Sequence, residues 1–334
     1  MTIGFFQVED WEEAEIRTAF PGEELRLHEK KCTEVAPKER EDIEIAAIFV
    51  HTKFDDALFA QFPKLKCLAT RSTGYDHIDI VAAKRRGVTV LYVPGYGDNT
   101  VAEYAFGLIL NLSRKIYQGI DRVKETGTFR NDDLRGVDVR GKTLGVIGTG
   151  RIGREAVKIA KGFDMNVVAH DPYPDSALAE RMGFTYAGLD ELLASSDFIT
   201  VHCPYNEQTH HLIHKGNIRT VKRGAYLVNT ARGAIVETEA IVMALQEGIL
   251  GGAGLDVLEE ENESRDEMLF LSSGHPSESE LKVLLRNHEL IRMPNVLITP
   301  HNAFNSKEAM QRILQTTLRN IRSFMDGKPE NVVK

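Results

Sequence analysis

The chain has 334 residues, of which 42% are hydrophobic, and a formal net charge of -8 at pH 7. This length predicts two domains of ordinary size, and the apolar content excludes a disordered or fibrous protein. The acidic balance argues against a nucleic-acid partner, which would require a basic surface.

The sequence also argues against a secreted or membrane protein. No apolar run approaches the ~20 residues that cross a bilayer, and the N-terminal segment lacks the basic region of a signal peptide. The three cysteines, Cys32, Cys67 and Cys203, are too few and too scattered for a disulfide framework. We therefore expect a cytoplasmic protein with no membrane partner.

Residues 1 to about 95 are predicted to form a small α/β unit with a parallel sheet, because short apolar strands alternate with polar stretches. Thr73 and Gly74 follow the fourth strand, at the kind of edge where such sheets bind ligands. The predicted strands are Ile3–Val8, Leu25–His28, Ala46–Val50, Cys67–Ala69 and Val88–Val93.

A break at Pro94–Gly97 predicts a hinge or domain boundary. Thr100 and Glu103 then suggest a capping box at the start of a long helix, Val101 to about Tyr117. This helix is apolar on more than one face. Two interpretations stay open: burial between domains, or pairing with a second subunit in a homodimer.

Residues 141–171 have the pattern of a strand, a glycine turn, a helix and a second strand. After the strand Thr143–Ile147, Gly148 allows a tight turn, Gly150 lets the backbone approach a pyrophosphate, and Gly153 allows close packing of helix and strand. Asp171, about 20 residues on, can accept hydrogen bonds from ribose hydroxyls and would repel a 2′-phosphate. This stretch predicts binding of NAD rather than NADP.

Six predicted strands from residue 143 onward each end on polar or glycine residues. A doubly wound parallel sheet would bring all these ends to one edge, beside the cofactor. The six strands are Thr143–Ile147, Asn166–His170, Phe198–Val201, Ala225–Val228, Gly254–Leu255 and Val296–Ile298.

Two C-terminal stretches complete the chain. The long polar segment 262–295 is predicted to be a surface excursion, with an active-site lid as the alternative. The helix from Ser306 to about Met325 has an apolar stripe and is predicted to pack on the first domain.

Three residues at these strand ends suit the reduction of a carbonyl compound. His301 is the candidate general acid/base, because imidazole can donate and accept a proton near neutral pH. Glu261 could fix the tautomer of that ring, although Glu259 and Glu260 compete for the role. Arg232 could grip a carboxylate with its planar fork. The ordinary alternatives are a structural histidine, a solvated carboxylate and a surface arginine.

Two other motifs are disfavoured. Gly136–Thr143 matches the phosphate-binding loop of nucleotide triphosphatases, but it leads into a strand instead of a helix. His210, His211 and His214 suggest metal ligands, but no cysteine or carboxylate nearby completes a set. We therefore predict no metal site.

Together these motifs resemble the D-isomer-specific 2-hydroxyacid dehydrogenases, and within that family most closely the enzymes that act on D-lactate. The resemblance covers nearly the whole chain. It is carried by GVIGTGRIG with Asp171, by the stretch from His202 through His210, and by VNTARGAIV. It extends to GLDV, to the position of Glu261, and to TPHNAF.

The resemblance implies a Rossmann doubly wound sheet inserted into a smaller flavodoxin-like α/β domain. Residues 1–98 and 302–334 would bind the substrate, and residues 99–301 would bind NAD. The implied reaction is reversible reduction of a 2-oxo acid, most simply pyruvate, to the D-2-hydroxy acid. Arg232 would bind the carboxylate, His301 would be the acid/base, and Glu261 would support it.

The resemblance also implies binding residues. The cofactor set is Gly148, Gly150, Arg151, Ile152, Gly153, Asp171, His202, Cys203, Pro204, Thr209, Thr230, Ala231, Arg232, Asp256 and His301. The substrate set is Thr73, Gly74, Tyr96, Arg232 and Phe304. The alternatives are a dehydrogenase of the hydroxyisocaproate or phosphoglycerate type, or a corepressor-like protein that senses NAD.

Overall fold

A computed structural model of the protein describes residues 1–50, 52–259 and 278–333. The chain divides into two compact units. Unit 1 comprises Met1–Tyr96 and Ser306–Lys334, and unit 2 comprises Gly97–Asn305. Unit 2 is therefore inserted between the two parts of unit 1. None of the described helices combines the length and the apolar character needed to cross a membrane.

Unit 1 contains a five-stranded parallel sheet in the order β2-β1-β3-β4-β5. This is the flavodoxin-like order that the resemblance implies. The strands are β1 Thr2–Phe6, β2 Glu24–His28, β3 Ile45–Ile48, β4 Cys67–Thr70 and β5 Thr89–Leu91. The helices are α1 Asp10–Ala19, α2 Asp56–Phe59, α3 Ile80–Arg85 and α11 Lys307–Met325, with a 3₁₀ turn at Pro37–Glu39.

The C-terminal helix α11 completes the core of unit 1. Its residues Leu314, Leu318 and Ile321 are buried against Ile3 and Phe5 of β1, as the apolar stripe predicts. The hydroxyl of Ser306 accepts the N–H of the residue three positions on, at 3.2 Å, and so caps the helix.

A buried ion pair holds the loop after β4 in unit 1. Arg71 follows β4 directly, and its guanidinium pairs with the carboxylate of Glu12 from α1; both side chains are fully buried. The guanidinium carbon lies 4.2 Å from the centroid of the Phe49 ring, and the guanidinium donates to the carbonyl of Gln7 at 3.3 Å. The pair thus fastens α1 to the loop that continues to Thr73.

Unit 2 contains a seven-stranded parallel sheet in the order β12-β11-β10-β9-β6-β7-β8, which is a doubly wound arrangement. The predicted α/β class with two parallel sheets is confirmed. The strands are β6 Thr143–Ile147, β7 Asn166–His170, β8 Thr185–Tyr186, β9 Phe198–Val201, β10 Ala225–Asn229, β11 Leu250–Leu255 and β12 Val296–Ile298. The helices are α4 Asp98–Arg114, α5 Ile116–Thr126, α6 Arg151–Gly162, α7 Ser176–Met182, α8 Leu189–Ser195, α9 Thr238–Gln246 and α10 Glu278–Arg292, with 3₁₀ turns at Ile218–Thr220 and Gly233–Ile235.

The long helix after the predicted hinge differs from the prediction at both ends. It begins at Asp98 with Gly97 as its N-cap, so Thr100 lies inside it and the predicted capping box is wrong. Glu103 instead accepts a hydrogen bond from Asn99 at 2.9 Å. The helix ends at Arg114, because the next residue adopts a left-handed conformation.

Helix α4 buries most of its apolar side chains within unit 2. Leu108 and Leu112 lie against Gly252 and Gly254 of β11, where an added Cβ would come within 3.0–3.3 Å of them. The glycines of β11 therefore let α4 pack closely on the sheet. The core of unit 2 therefore accounts for most of the apolar character of this helix, and pairing with a second subunit stays a prediction.

The long polar segment contains a helix at its C-terminal end. In α10, Leu284, Asn287 and Leu290 are buried, and the helix contacts α9 and β12. That part of the segment is thus packed on unit 2. The rest of it, residues 262–277, lies outside the described residues, so the choice between excursion and lid stays a prediction for that part.

Candidate active site

The glycine turn after β6 has the geometry that its sequence predicts. Gly148 has a φ of +94°, and an added Cβ there would lie 2.7 Å from the backbone nitrogen of Cys203. A Cβ at Gly153 would lie 2.0 Å from the carbonyl oxygen of Gly148. At Gly150, in contrast, a Cβ would meet nothing within 4 Å. Close packing within the protein explains why residues 148 and 153 are glycines. The open space at Gly150, in contrast, fits a ligand that approaches the backbone.

The N-terminus of α6 offers hydrogen-bond donors to an anion. Gly150 is the N-cap and provides no side-chain acceptor. The free N–H groups of the first turn and the positive end of the helix dipole suit a pyrophosphate. The exposed Arg151 side chain lies beside this turn and pairs with Asp98 at 2.7 Å, while Ile152 is half-buried against the core.

Asp171 is held ionised at the end of β7. Its carboxylate accepts the N–H and the hydroxyl of Thr149 at 2.8 and 2.9 Å, and the N–H of Tyr173 at 3.0 Å. Although partial burial opposes ionisation, these bonds keep the pKa of Asp171 below its usual range. A carboxylate has about four acceptor positions, so one stays available for a ribose hydroxyl.

We expect two glycine variants to separate ligand binding from folding. Gly150→Ala should fold normally and weaken NADH binding about tenfold or more, a loss of about 1.4 kcal/mol, because its methyl group would occupy the open space. Gly153→Ala should destabilise the fold, because its methyl group would overlap the Gly148 carbonyl. NADH titration by fluorescence and urea unfolding of both variants test this. Normal NADH binding by Gly150→Ala would contradict the assignment.

A chain of hydrogen bonds joins three predicted site residues across neighbouring strand ends. The Asn229 side chain donates to the carbonyl of Arg232 at 2.9 Å, and the N–H of Asp256 donates to the carbonyl of Asn229 at 2.9 Å. The N–H of His301 donates to the carbonyl of Asp256 at 2.8 Å. Arg232, Asp256 and His301 therefore lie along the edge formed by β10, β11 and β12.

Asp256 also holds the loop that carries His301, which sequence reasoning missed. Its buried carboxylate accepts the Thr299 hydroxyl at 2.5 Å and the N–H groups of Asn302 and Ala303 at 2.8 Å each. Burial raises the pKa of Asp256, while these bonds and the nearby His301 oppose that rise. His301 has a φ of +52°, an uncommon conformation that this anchored loop maintains.

His202 lies at the end of β9 as a buried, neutral histidine. Its Nε2 atom is 2.9 Å from the Thr200 hydroxyl, and its Nδ1 atom has no partner among the described residues. Burial lowers the pKa of His202 to about 4. The next residue is Cys203, whose thiol has a pKa raised by burial to about 11, so both side chains are uncharged at neutral pH.

Acid should destabilise the protein through His202. Between pH 6.5 and about 4 the unfolded chain binds a proton at this residue that the native protein does not bind. The free energy of unfolding therefore falls as the pH falls, by up to roughly 3 kcal/mol. Urea unfolding at pH 7, 5.5 and 4.5 should show a weaker pH dependence for His202→Gln than for the parent. Identical pH dependence would contradict the buried neutral state.

The remaining predicted cofactor residues lie in the loops after β9 and β10. The Thr209 hydroxyl donates to the carbonyl of Pro204 at 2.7 Å and closes the first loop. In the second loop the buried Thr230 hydroxyl has no partner among the described residues, and the carbonyl of Ala231 accepts the Arg232 guanidinium at 2.8 Å. An unpaired buried hydroxyl at this edge fits a polar ligand.

The structure shows what one of the three acidic residues that could hydrogen-bond to the His301 ring does instead. The carboxylate of Glu259 accepts the N–H of Thr238 and lies 2.6 Å from Nε2 of His211. Glu259 is thus engaged elsewhere and is excluded as the partner of His301. Glu260 and Glu261 lie outside the described residues, so the role of Glu261 stays a prediction.

The predicted substrate residues belong to both units. In unit 1, the Thr73 hydroxyl donates to the carbonyl of Val93 at 2.8 Å, and the carbonyl of Gly74 accepts the Ser72 hydroxyl at 2.6 Å. Tyr96 is the last residue of the first part of unit 1. In unit 2, the ring of Phe304 lies edge-on to that of His301, with centroids 6.4 Å apart. Substrate binding by these residues stays a prediction.

The two disfavoured motifs have other roles in the structure. Lys142 precedes β6 directly, so Gly136–Thr143 does not have the strand–loop–helix geometry of a phosphate-binding loop. His211 bonds to Glu259, and the exposed His214 accepts the N–H of Gly216 at 3.0 Å. Over the described ranges, no cluster of three or more histidine, cysteine or acidic residues could hold a metal ion.

Comparison with known proteins gives one consistent family. The family model described as D-isomer specific 2-hydroxyacid dehydrogenase, NAD binding domain, matches residues 106–303. A 2-hydroxyacid dehydrogenase homolog of Zymomonas mobilis is 38% identical over 310 residues, covering 92% of this chain and 91% of that protein. The D-lactate dehydrogenase of Escherichia coli is 36% identical over 309 residues, covering 92% and 91%.

A solved structure matches over both units. The D-lactate dehydrogenase of Aquifex aeolicus, complexed with NAD and lactic acid, has a TM-score of 0.86 and 34% identity. The match covers 98% of this chain and 96% of that one.

Proposed function

The chain belongs to the D-isomer-specific 2-hydroxyacid dehydrogenase family, an NAD-dependent oxidoreductase family, and from this premise we propose that it is a D-lactate dehydrogenase. The observation that carries the proposal is the hydrogen-bonded edge that joins Arg232, Asp256 and His301. Pyruvate is the proposed oxo acid because the similar Aquifex aeolicus enzyme was solved with lactic acid.

The cofactor site fits NAD on the protein's own geometry. The open backbone at Gly150 and the N-terminus of α6 would hold the pyrophosphate, and Asp171 would hold the adenosine ribose. When bound, NAD supplies the acceptor or donor of the hydride. The Thr230 hydroxyl, which has no partner within the described part of the chain, and the uncharged side chain of His202 suit a wall beside the cofactor.

Different residues at this edge bind the substrate and transfer the proton. Arg232 binds the substrate carboxylate with its planar fork, together with backbone N–H groups at Thr73 and Gly74. His301 donates a proton to the carbonyl oxygen during reduction and removes it during oxidation. Glu261 accepts a hydrogen bond from the other ring nitrogen of His301 and stabilises its charged form. Tyr96 and Phe304 contact the substrate methyl group in this proposal.

We further propose that the protein is a cytoplasmic homodimer. Helix α5 has no buried residue, and Ile116, Tyr117, Ile120 and Val123 are 38–54% exposed. An apolar face of this kind on a surface helix is typical of a subunit contact. The three cysteines are unpaired, which suits a reducing compartment. Sedimentation of the purified chain measures the number of subunits.

A panel of 2-oxo acids tests the substrate proposal. Oxidation of NADH is followed with pyruvate, 4-methyl-2-oxopentanoate and 3-phosphohydroxypyruvate, and the reverse reaction is run with D- and L-lactate. We expect pyruvate to have the highest kcat/KM and only D-lactate to be oxidised. A higher kcat/KM for a bulkier acid would establish a related dehydrogenase instead.

If the protein were a corepressor-like NAD sensor, the panel would give the opposite result. Such a protein would change its assembly state on addition of NADH and show negligible turnover with every acid of the panel. The hydrogen-bonded placement of Arg232 and His301 favours the enzyme, because binding NAD alone does not require an arginine and a histidine at this edge.

A further inference from the structure

We propose that His211 and Glu259 form a positioning pair, which sets the Arg232 loop for binding of the substrate carboxylate. The inference rests on the proposed function and adds two residues to it. The Nε2 atom of His211 lies 2.6 Å from Oε1 of Glu259, and the Glu259 side chain is only 10% exposed. The Glu259 carboxylate is therefore largely shielded from water, whereas the His211 ring is 34% exposed, so the geometry of the pair is constrained mainly on the Glu259 side.

Glu259 also bonds to two further segments of unit 2. Its Oε2 atom accepts the N–H of Thr238, the first residue of α9, at 2.6 Å. Its backbone carbonyl accepts the side chain of Asn287, a buried residue of α10, at 2.9 Å. Glu259 thus joins the end of β11 to both helices and to the loop that carries His211.

The loop between Arg232 and Thr238 is fixed on two sides by the members of this pair. On one side, an added Cβ at Gly233 would lie 2.1 Å from the carbonyl carbon of Leu258 and 2.4 Å from the backbone nitrogen of Glu259, so the two backbones are in direct contact. On the other side, the N–H of His211 donates to the carbonyl of Ala234 at 2.8 Å. Movement of either partner would therefore move the backbone next to Arg232.

Arg232 is sensitive to such a movement because a bidentate grip on a carboxylate needs its guanidinium plane correctly oriented. A displacement of about 1 Å at a positioned group can lower activity on the order of 10²-fold.

Two variants of His211 test the pair, because one should lose the bond to Glu259 and the other should keep it. His211 has a left-handed backbone with a φ of +49°, which asparagine tolerates better than glutamine. The amide of glutamine, in contrast, can reach the position of Nε2, whereas that of asparagine stops short. We expect His211→Asn to raise the KM for the preferred 2-oxo acid about tenfold or more, because it loses a hydrogen bond to Glu259. His211→Gln should stay within about threefold of the parent.

NADH binding, thermal unfolding and a control histidine distinguish positioning from loss of structure. The Kd for NADH should be nearly the same in both variants. The unfolding temperature of His211→Asn should fall only slightly, because water can enter at the exposed side of the lost ring. His214→Asn on the exposed part of the same segment should behave as the parent. A KM for His211→Asn equal to or below that of His211→Gln would overturn the positioning role. So would a parallel loss of NADH binding, which would mean general disruption.

The same series separates failure of this inference from failure of the proposed function. The kinetics are measured with whichever 2-oxo acid of the panel has the highest kcat/KM, so a different preferred acid leaves the comparison intact. A parent chain that reduces none of the acids would overturn the dehydrogenase proposal and the pair with it. An active parent with equivalent His211 variants would overturn the pair alone.

Discussion

Replacement of His301 by alanine should lower kcat for reduction of the preferred 2-oxo acid by about 10²- to 10⁴-fold, the usual contribution of general acid–base catalysis. The alanine variant retains the backbone bonds to Asp256 and Thr299, because these use the N–H of residue 301. The loop should therefore keep its position while the proton donor is lost. Stopped-flow measurement of a single turnover from NADH reports the chemical step directly.

The control for this experiment is the exposed His214, which lies outside the Arg232–His301 edge. His214→Ala should keep the parent kcat, and thermal unfolding of both variants should resemble that of the parent. Turnover by His301→Ala close to the parent value would remove His301 from the mechanism. The alternative acid would then have to be sought among the other residues of the same edge.

Replacement of Arg71 by methionine should lower the free energy of unfolding by about 3–5 kcal/mol, because it leaves the carboxylate of Glu12 buried without its partner. Both side chains of the native pair are fully buried, so water cannot compensate for the lost guanidinium. Urea unfolding measured on unit 1, for example through the single tryptophan Trp11 of α1, gives the change.

Two further variants make this result specific. Removing both charges in Arg71→Met with Glu12→Leu should recover a large part of the loss, because no unpaired buried charge remains. The exposed pair Arg17–Glu13, with side chains 57% and 50% exposed, provides the control. Arg17→Met should change the free energy of unfolding by less than about 0.5 kcal/mol. Equal effects of Arg71→Met and Arg17→Met would contradict the buried pair.

Most of the fold could be predicted because each central strand is an apolar run bounded by turn residues. The errors lie where tertiary packing overrides local pattern. The sequence pattern does not reveal the start of β11, because glycines are unfavourable in strands, yet here they let α4 pack closely on the sheet. Thr100 resembled a cap, but the helix continues through it to Asp98. Strand β8, with two residues, is too short to produce a periodic pattern.

The sequence predicts which strand ends carry the candidate site residues. Parallel strands bring Arg232, Asp256 and His301 to one edge, and the structure joins them by hydrogen bonds there. The support around them was not predictable. Asp256 anchors a loop 46 residues further on, and Glu259 bonds to a histidine 48 residues earlier. Neither pairing has a local signature, because only the folded sheet brings these segments together.

The division of unit 1 into two pieces has a consequence for the order of synthesis. The N-terminal strands reach the ribosome exit first, but Leu314, Leu318 and Ile321 of α11, which cover them, follow unit 2 in the chain. All the strands of unit 2 emerge before α11 does. The unit that is started first is therefore completed after the other, and the apolar side of β1 must be shielded from other nascent chains until α11 has emerged.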